Sequence, residues 1–356
     1  MRIPWIDCCK GFAMIMVVLG HCGENEFFFK GLYYIHLPLF IILSGFWLDK
    51  PKYYVGKYAL GRFVLKKSGE LIYPYLIFGI MTVLLQYIRI ALTGMNYDSG
   101  GLNQLLSLIL HLENYANWFL PILFFAEVLC IIFLKLFNNL NHKQGFIFFL
   151  MLLCAYTSSR IPKILPHFDG LLAFLVFTFG KVITFSFFLF LGYFIKAFLE
   201  KYDVSLKSFR KFMIPILFIS SCFALIVGSN LPMVDLHTLH WESAKNYYFM
   251  ACWGSISFIF LFYYLNTSNK LLSHIGKNSL IINGTHLNLL IVPSIVQISF
   301  YSWPHLAGAY NWGPITIAIG VILVELIFII PILKNAYPFL TNYKIAIIAI
   351  NKLINK

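Results

Sequence analysis

The feature that most constrains this chain is a succession of apolar stretches, most of them long enough to cross a lipid bilayer. A helix rises 1.5 Å per residue, so about 20 mostly apolar residues cover a hydrocarbon core of ~30 Å. Ten stretches fit this reading: residues 3–22, 32–48, 71–92, 117–136, 145–160, 178–199, 211–229, 248–266, 279–299 and 312–333. The second and fifth are short. A further apolar piece, 169–180, reads as re-entrant or as an early start of the sixth span. Pro74, Pro121, Pro293 and Pro331 fall in or near spans, where neighbouring helices can satisfy the freed carbonyls. Only 12% of the 356 residues are charged and 60% are hydrophobic. That charge share is about half the usual one, too little for the surface of a soluble enzyme. The expected fold is an all-α, polytopic transmembrane helix bundle of about ten spans. Residues 1–340 form its membrane domain, and 341–356 is a short basic and apolar tail lying on the inner membrane surface. The first stretch does not read as a cleaved signal peptide. It has one leading cation, Arg2, carries Asp7 and Lys10 in its core, and is followed by no small-residue cleavage site.

The net charge of +13 invites a nucleic-acid reading, but the cations cluster between apolar stretches, as topology signals do. With the N-terminus inside, 20 of the 27 Lys and Arg fall in inner segments and 4 in outer loops. Both termini are therefore expected in the cytoplasm, and no nucleic-acid partner is expected. Six of those cations stand in 49–70, against Asp49 and Glu70. The seven cysteines lie in or at the ends of apolar stretches without a CxxC pair, which suits buried packing thiols. His237-x-x-His240 has metal-like spacing, but no third ligand is evident, and no metal is expected.

Charges inside a span are costly and mark function first. In the first span Asp7, Gly11, Met14, Val18 and His21 share one face at 100° per residue. Lys10 and His21 are eleven residues apart, which places them about 20° apart in angle and about 16 Å apart along the axis. Asp7 and Lys10, three apart, can neutralise each other. An imidazole at the outer end suits proton removal near neutral pH, although a histidine there can also simply pack. Glu127 and Glu325 also sit in spans; the plain reading of each is polar packing between helices.

Asp7-x-x-Lys10-Gly11 followed by Val17-Val18-x-Gly20-His21 resembles the opening signature of acyltransferase family 3, integral-membrane enzymes that modify sugars. Four further stretches follow in the family's order. Tyr34-Ile-His36-Leu-Pro38-Leu39-Phe40, running on to Ser44-Gly45, is similar to its F-H-M-P-L-F-F-x-x-S-G. Asn117-Trp118-Phe119-Leu120-Pro121 resembles the opening of a middle span. Phe190-Leu191-Gly192-Tyr193 is similar to F-x-L-G-Y. Ile275-Gly276-Lys277-Asn278-Ser279-Leu280, running on to His286, is similar to I-G-x-N-S-L-x-x-x-x-H. The nearest members are those related to fucose 4-O-acetylases. One departure stands at Glu70, where an arginine would align; Lys66, Lys67 and Arg62 keep positive charge nearby.

The resemblance implies acetyl-CoA as co-substrate, no permanently bound cofactor, and a glycan or lipid-linked sugar as acceptor, in a multi-pass protein of the cell inner membrane among its lipids. It implies His21, Lys10 and Asp7 as catalytic residues. His36, Ser44, Lys66, Lys67, Trp118, Asn278 and His286 are the candidates for holding donor or acceptor. His21 would act as general base or carry the acetyl group itself. Lys10, Ser44 or Asn278 would steady the oxyanion. Two other readings stay open: a transporter or flippase of a small solute or acyl group, and acyl transfer, for example of succinyl, to a non-sugar acceptor.

Overall fold

A computed structural model describes residues 3–22, 27–93, 108, 115–201, 207–287 and 313–354. They form helices throughout, with no strand among the described residues. Eight of the helices are long and apolar enough to cross a membrane. Exposed side chains such as Leu65, Leu171, Phe212 and Ile219 give them the apolar outer surface that lipid covers and water does not.

The helices are α1 (Pro4–Cys22), α2 (Phe27–Gly45), α3 (Ala59–Lys67), α4 (Tyr73–Thr93), α5 (Phe119–Leu136), α6 (Lys143–Ile164) and α7 (Gly170–Lys201). After them come α8 (Lys207–Ser229), α9 (Ala244–Leu265), α10 (Lys270–Lys277), α11 (Ser279–Thr285), α12 (Gly313–Val324), α13 (Pro338–Thr341) and α14 (Tyr343–Ile354). Two compact units divide the chain: Met1–Phe63 with Phe125–Lys277, and Val64–Phe124 with Asn278–Lys356.

In the first unit α1 is buried on nearly every side, as the central helix of a bundle must be. Trp5 meets Phe46 edge to face, while Tyr33 Oη donates to Gly20 O. Those two contacts make α1 and α2 antiparallel. Glycines set the closest crossings. A Cβ at Gly11 would overlap the Leu272 carbonyl, and one at Gly276 the Asp7 carbonyl, so α10 lies directly on the backbone of α1. Gly45 and Gly192 hold α2 against α7 in the same way. In lipid, where no hydrophobic drive pulls helices together, this backbone proximity is what association rests on.

In the second unit α3 runs into α4 through a π-turn, Ser68–Ile72. The basic stretch 49–70 is thus not a plain loop. Its second half is helix, because Arg62, Lys66 and Lys67 are good helix formers. Tyr343 at the head of α14 lies against Gly69, and Tyr73 Oη donates to Phe339 O. The C-terminal segment is packed onto this unit, beside the π-turn.

Of the two readings of 169–180, the structure shows the early start of the sixth span: the segment opens one 32-residue helix, α7, about 48 Å long at 1.5 Å per residue. Two other boundaries differ from those read in the sequence. The fifth span is not short, for α6 covers 22 residues. Thr157, Ser158 and Ser159 return their hydroxyls to carbonyls three or four residues back, so the polar run continues the helix. Within 279–299, α11 ends at Thr285, and residues 288–299 lie outside the described residues.

Candidate functional site

The candidates divide between the two units. Asp7, Lys10, His21, His36 and Ser44 belong to the first; Lys66, Lys67, Trp118, Asn278 and His286 belong to the second.

His21 ends α1, in its last turn, and is part-exposed. His36 lies on α2 and is buried. The antiparallel pairing of these helices brings the two imidazoles within electrostatic reach, and Asp235 also acts on His36. His36 Nδ1 lies 2.5 Å from Leu32 O. A carbonyl can only accept, so Nδ1 carries the proton, and neutral His36 keeps its lone pair on Nε2. Tyr33 stands edge-on to the His36 ring at 5.2 Å. Tyr33 therefore touches both helices: its ring meets His36 and its hydroxyl meets Gly20 O, one residue before His21.

Asp235 belongs to a small hairpin closed by paired hydrogen bonds with His240. Its carboxylate accepts from His237 N at 2.8 Å and from Thr238 Oγ1 at 2.9 Å. Leu239 takes the left-handed conformation, φ 53°, at the turn. Neither Asp235 nor Tyr33 stood out in the sequence. An acid in a polar loop and a tyrosine in an aromatic-rich helix carry no spacing signal; only the fold sets them beside His36. Among the described residues no group of three or more His, Cys, Asp or Glu could hold a metal.

At the other end of α1, Asp7 Oδ2 is buried without a hydrogen bond. There α10 crosses the face that Asp7 and Gly11 share. Ser44 donates to Phe40 O at 3.0 Å, so its proton serves its own helix.

The segment after α2 is basic and aromatic. Lys50 lies over Trp47 at 4.5 Å, Lys52 over Tyr53 at 5.2 Å, Lys57 over Tyr58 at 5.5 Å and Lys143 over Tyr54 at 4.4 Å. Tyr54 Oη donates to Asp49; burial first, and then the negative charge of Asp49, push the phenol's pKa up. A cavity of about 500 Å³ opens beside Lys143, lined by Asn141, His142, Gln144 and Tyr193.

In the second unit Glu70 bridges Lys66 at 3.3 Å and Lys67 at 3.6 Å. Trp118 and Phe119 are buried, where ring packing accounts for both. Asn278 is buried at the start of α11, and His286 is fully buried with Nδ1 donating to Ile282 O at 2.7 Å. Beside His286 in sequence, Thr285 reaches Glu325, while Asn283 donates to Asn117.

The signature residues thus fall into two kinds. Gly11, Gly45, Gly192 and Gly276 are crossing points of helices, and His21 with His36 is a pair of nitrogen bases at one end of a buried helix. No curated protein and no solved structure matches the chain. The family model described as an acyltransferase domain, Acyl_transf_3, matches residues 3–334, which takes in every helix that shapes the imidazole pair; the chain belongs to acyltransferase family 3.

Proposed function

We propose that this protein moves an acetyl group from acetyl-CoA to a hydroxyl of a cell-surface polysaccharide or of its lipid-linked precursor, in the cell inner membrane. The observation that carries the reading is a part-exposed His21 within electrostatic reach of a buried, tautomer-fixed His36 in a member of a membrane acyltransferase family. One imidazole is open to a substrate, and the other is held still beside it.

In the reaction the acceptor hydroxyl oxygen attacks the thioester carbonyl carbon. His21 takes the hydroxyl proton as that bond forms. The tetrahedral intermediate collapses, the C–S bond breaks, and the proton passes to the CoA thiolate. His36, with its proton committed to Leu32 O, keeps Nε2 as an acceptor and can orient the sugar. Lys10, about 16 Å along α1 from His21, provides positive charge on nearly the same face for the donor's approach. CoA carries phosphates and a flat adenine. Lysines laid over aromatic rings around Tyr54, next to the cavity at Lys143, match both features. With both termini cytoplasmic, this face meets cytoplasmic CoA, and His21 lies in the outer half of the membrane.

The test is ester-linked acetate released by mild alkali from purified surface polysaccharide, in cells carrying the intact protein or His21→Ala. Loss of acetate at normal protein level is the expected result. Equal acetate in both would overturn the role of His21. A polysaccharide without acetate in either strain would overturn the acceptor and move the search to another acyl group or to solute transport.

A further inference from the structure

The second unit holds a carboxyl group that the acyl-transfer reading does not use. Glu325 is fully buried, in a helix long and apolar enough to cross the membrane, and opens a π-turn, Glu325–Ile329. Such turns widen a helix by one residue and often mark functional positions. Among the described residues its side-chain hydrogen-bond partner is Thr285, itself fully buried on α11. Glu325 Oε2 has no hydrogen bond, and among the described residues Glu325 makes no ion pair. The nearest titratable side chain in sequence on the element that meets it is His286, next to Thr285, whose Nδ1 is committed to Ile282 O.

A proton count decides the state of this carboxyl group. Thr285 Oγ1 lies 2.7 Å from Ile281 O and 2.6 Å from Glu325 Oε1. One hydroxyl has one proton. If Glu325 were ionised, both neighbours would be acceptors competing for it. A carboxylate would then sit in the membrane with one oxygen bare and, among the described residues, no cation paired with it, which desolvation disfavours. If Glu325 keeps its proton, both contacts are made at once: Thr285 donates to Ile281 O, and Glu325 Oε1–H donates to Thr285 Oγ1.

We propose that Glu325 is an intramembrane proton-binding site, a carboxylic acid that stays neutral at neutral pH and donates a hydrogen bond to Thr285 Oγ1. Its ligand is the proton itself, and Oε2 is the atom through which a second proton carrier would reach it. The assignment is independent of the acyl donor and acceptor.

The experiment uses the whole protein in lipid nanodiscs at neutral pH. Infrared difference spectra of intact protein minus Glu325→Gln should show the carbonyl stretch of a neutral carboxylic acid, shifted in heavy water. Dicyclohexylcarbodiimide, a lipid-soluble reagent for neutral acids, should label the Glu325 peptide of the intact protein. The acid adds across the reagent, its proton passes to a reagent nitrogen, and the peptide gains the mass of one whole reagent molecule. The adduct is read on the unaltered chain, so the assay survives a variant that fails to fold, and Glu127 is read on a separate peptide. Absence of both band and adduct, or carboxylate bands in their place, would overturn the proposal. So would labelling suppressed by sodium relative to choline at equal ionic strength, which would make the carboxyl group a cation site.

Discussion

Glu70 stands where the family resemblance would align an arginine, and its carboxylate lies within 4 Å of two lysines. The side chains of Lys66 and Glu70 are about 40% exposed. Exposed pairs of this kind contribute roughly 0–1 kcal/mol, so Glu70 does little for stability. Its larger effect is to cancel charge that an anionic donor would otherwise meet. Replacing Glu70 by Gln should leave thermal stability within about 1 kcal/mol and lower the KM for acetyl-CoA with kcat unchanged. Lys66→Ala with Lys67→Ala should raise that KM. Steady-state kinetics in nanodiscs check both, and an unchanged KM in the double variant would remove these lysines from donor binding. At this scale the sequence was readable where a residue's type narrows its chemistry. An imidazole at a helix end was visible as a candidate base. The role of Asp235 was not, since what makes it matter is a neighbour 199 positions away. Nor was the spent proton of Ser44, which depends on a hydrogen bond back to Phe40.

Elements in this bundle meet where side chains are missing. The α1–α10 crossing brings Gly11 against Leu272 and Gly276 against Asp7, and in both cases an added methyl would run into a backbone carbonyl. A carbonyl within a helix cannot rotate away as a side-chain tip can, so the helices must separate. Overpacking of this kind costs about 1–3 kcal/mol and sometimes more. Gly276→Ala should therefore lower the melting temperature of the detergent-purified protein and reduce transfer, because it displaces the backbone at Asp7. Gly61 is the internal control. It lies in α3, and a Cβ there would meet nothing within 4 Å. Gly61→Ala should be neutral or stabilising by up to about 1 kcal/mol, the helix-propensity difference. Equal losses at Gly61 and Gly276 would deny the crossing. Hydropathy located most helices here but placed their ends poorly. The apolar window 145–160 stopped at Arg160, whereas α6 runs on to Ile164, with side-chain bonds from Thr157, Ser158 and Ser159 to the preceding turns. The basic half of α3 falls outside every apolar stretch, yet its propensity favours helix.

For the whole molecule, parity of crossings constrains where the ends lie. In the first unit Trp5 packs on Phe46, so the start of α1 and the end of α2 lie at one end of an antiparallel pair. In the second unit Tyr343 packs on Gly69, so the C-terminal segment lies at the end where α3 passes into α4. Between Phe46 and Gly69 the chain carries Asp49, Lys50, Lys52, Lys57, Arg62, Lys66 and Lys67, and a stretch so charged does not cross a bilayer. From α3 onward the described residues contain seven helices long and apolar enough to cross, the eight in the chain less α1. Seven crossings would leave Tyr343 on the side opposite Gly69. The eight spans read from 71 to 333 in the sequence would return it to the same side. The excess of lysine and arginine in 49–70 and the other inner segments predicts that this side is cytoplasmic. A fluorescent protein fused after Lys356 should fluoresce in intact cells, and a periplasmic phosphatase fused there should be inactive. The same phosphatase inserted after Asp235, in the hairpin beside His36, should be active. Activity at the C-terminus with none at the hairpin would invert the protein in the membrane and put His21 on the cytoplasmic side, next to the CoA pool rather than across the bilayer from it.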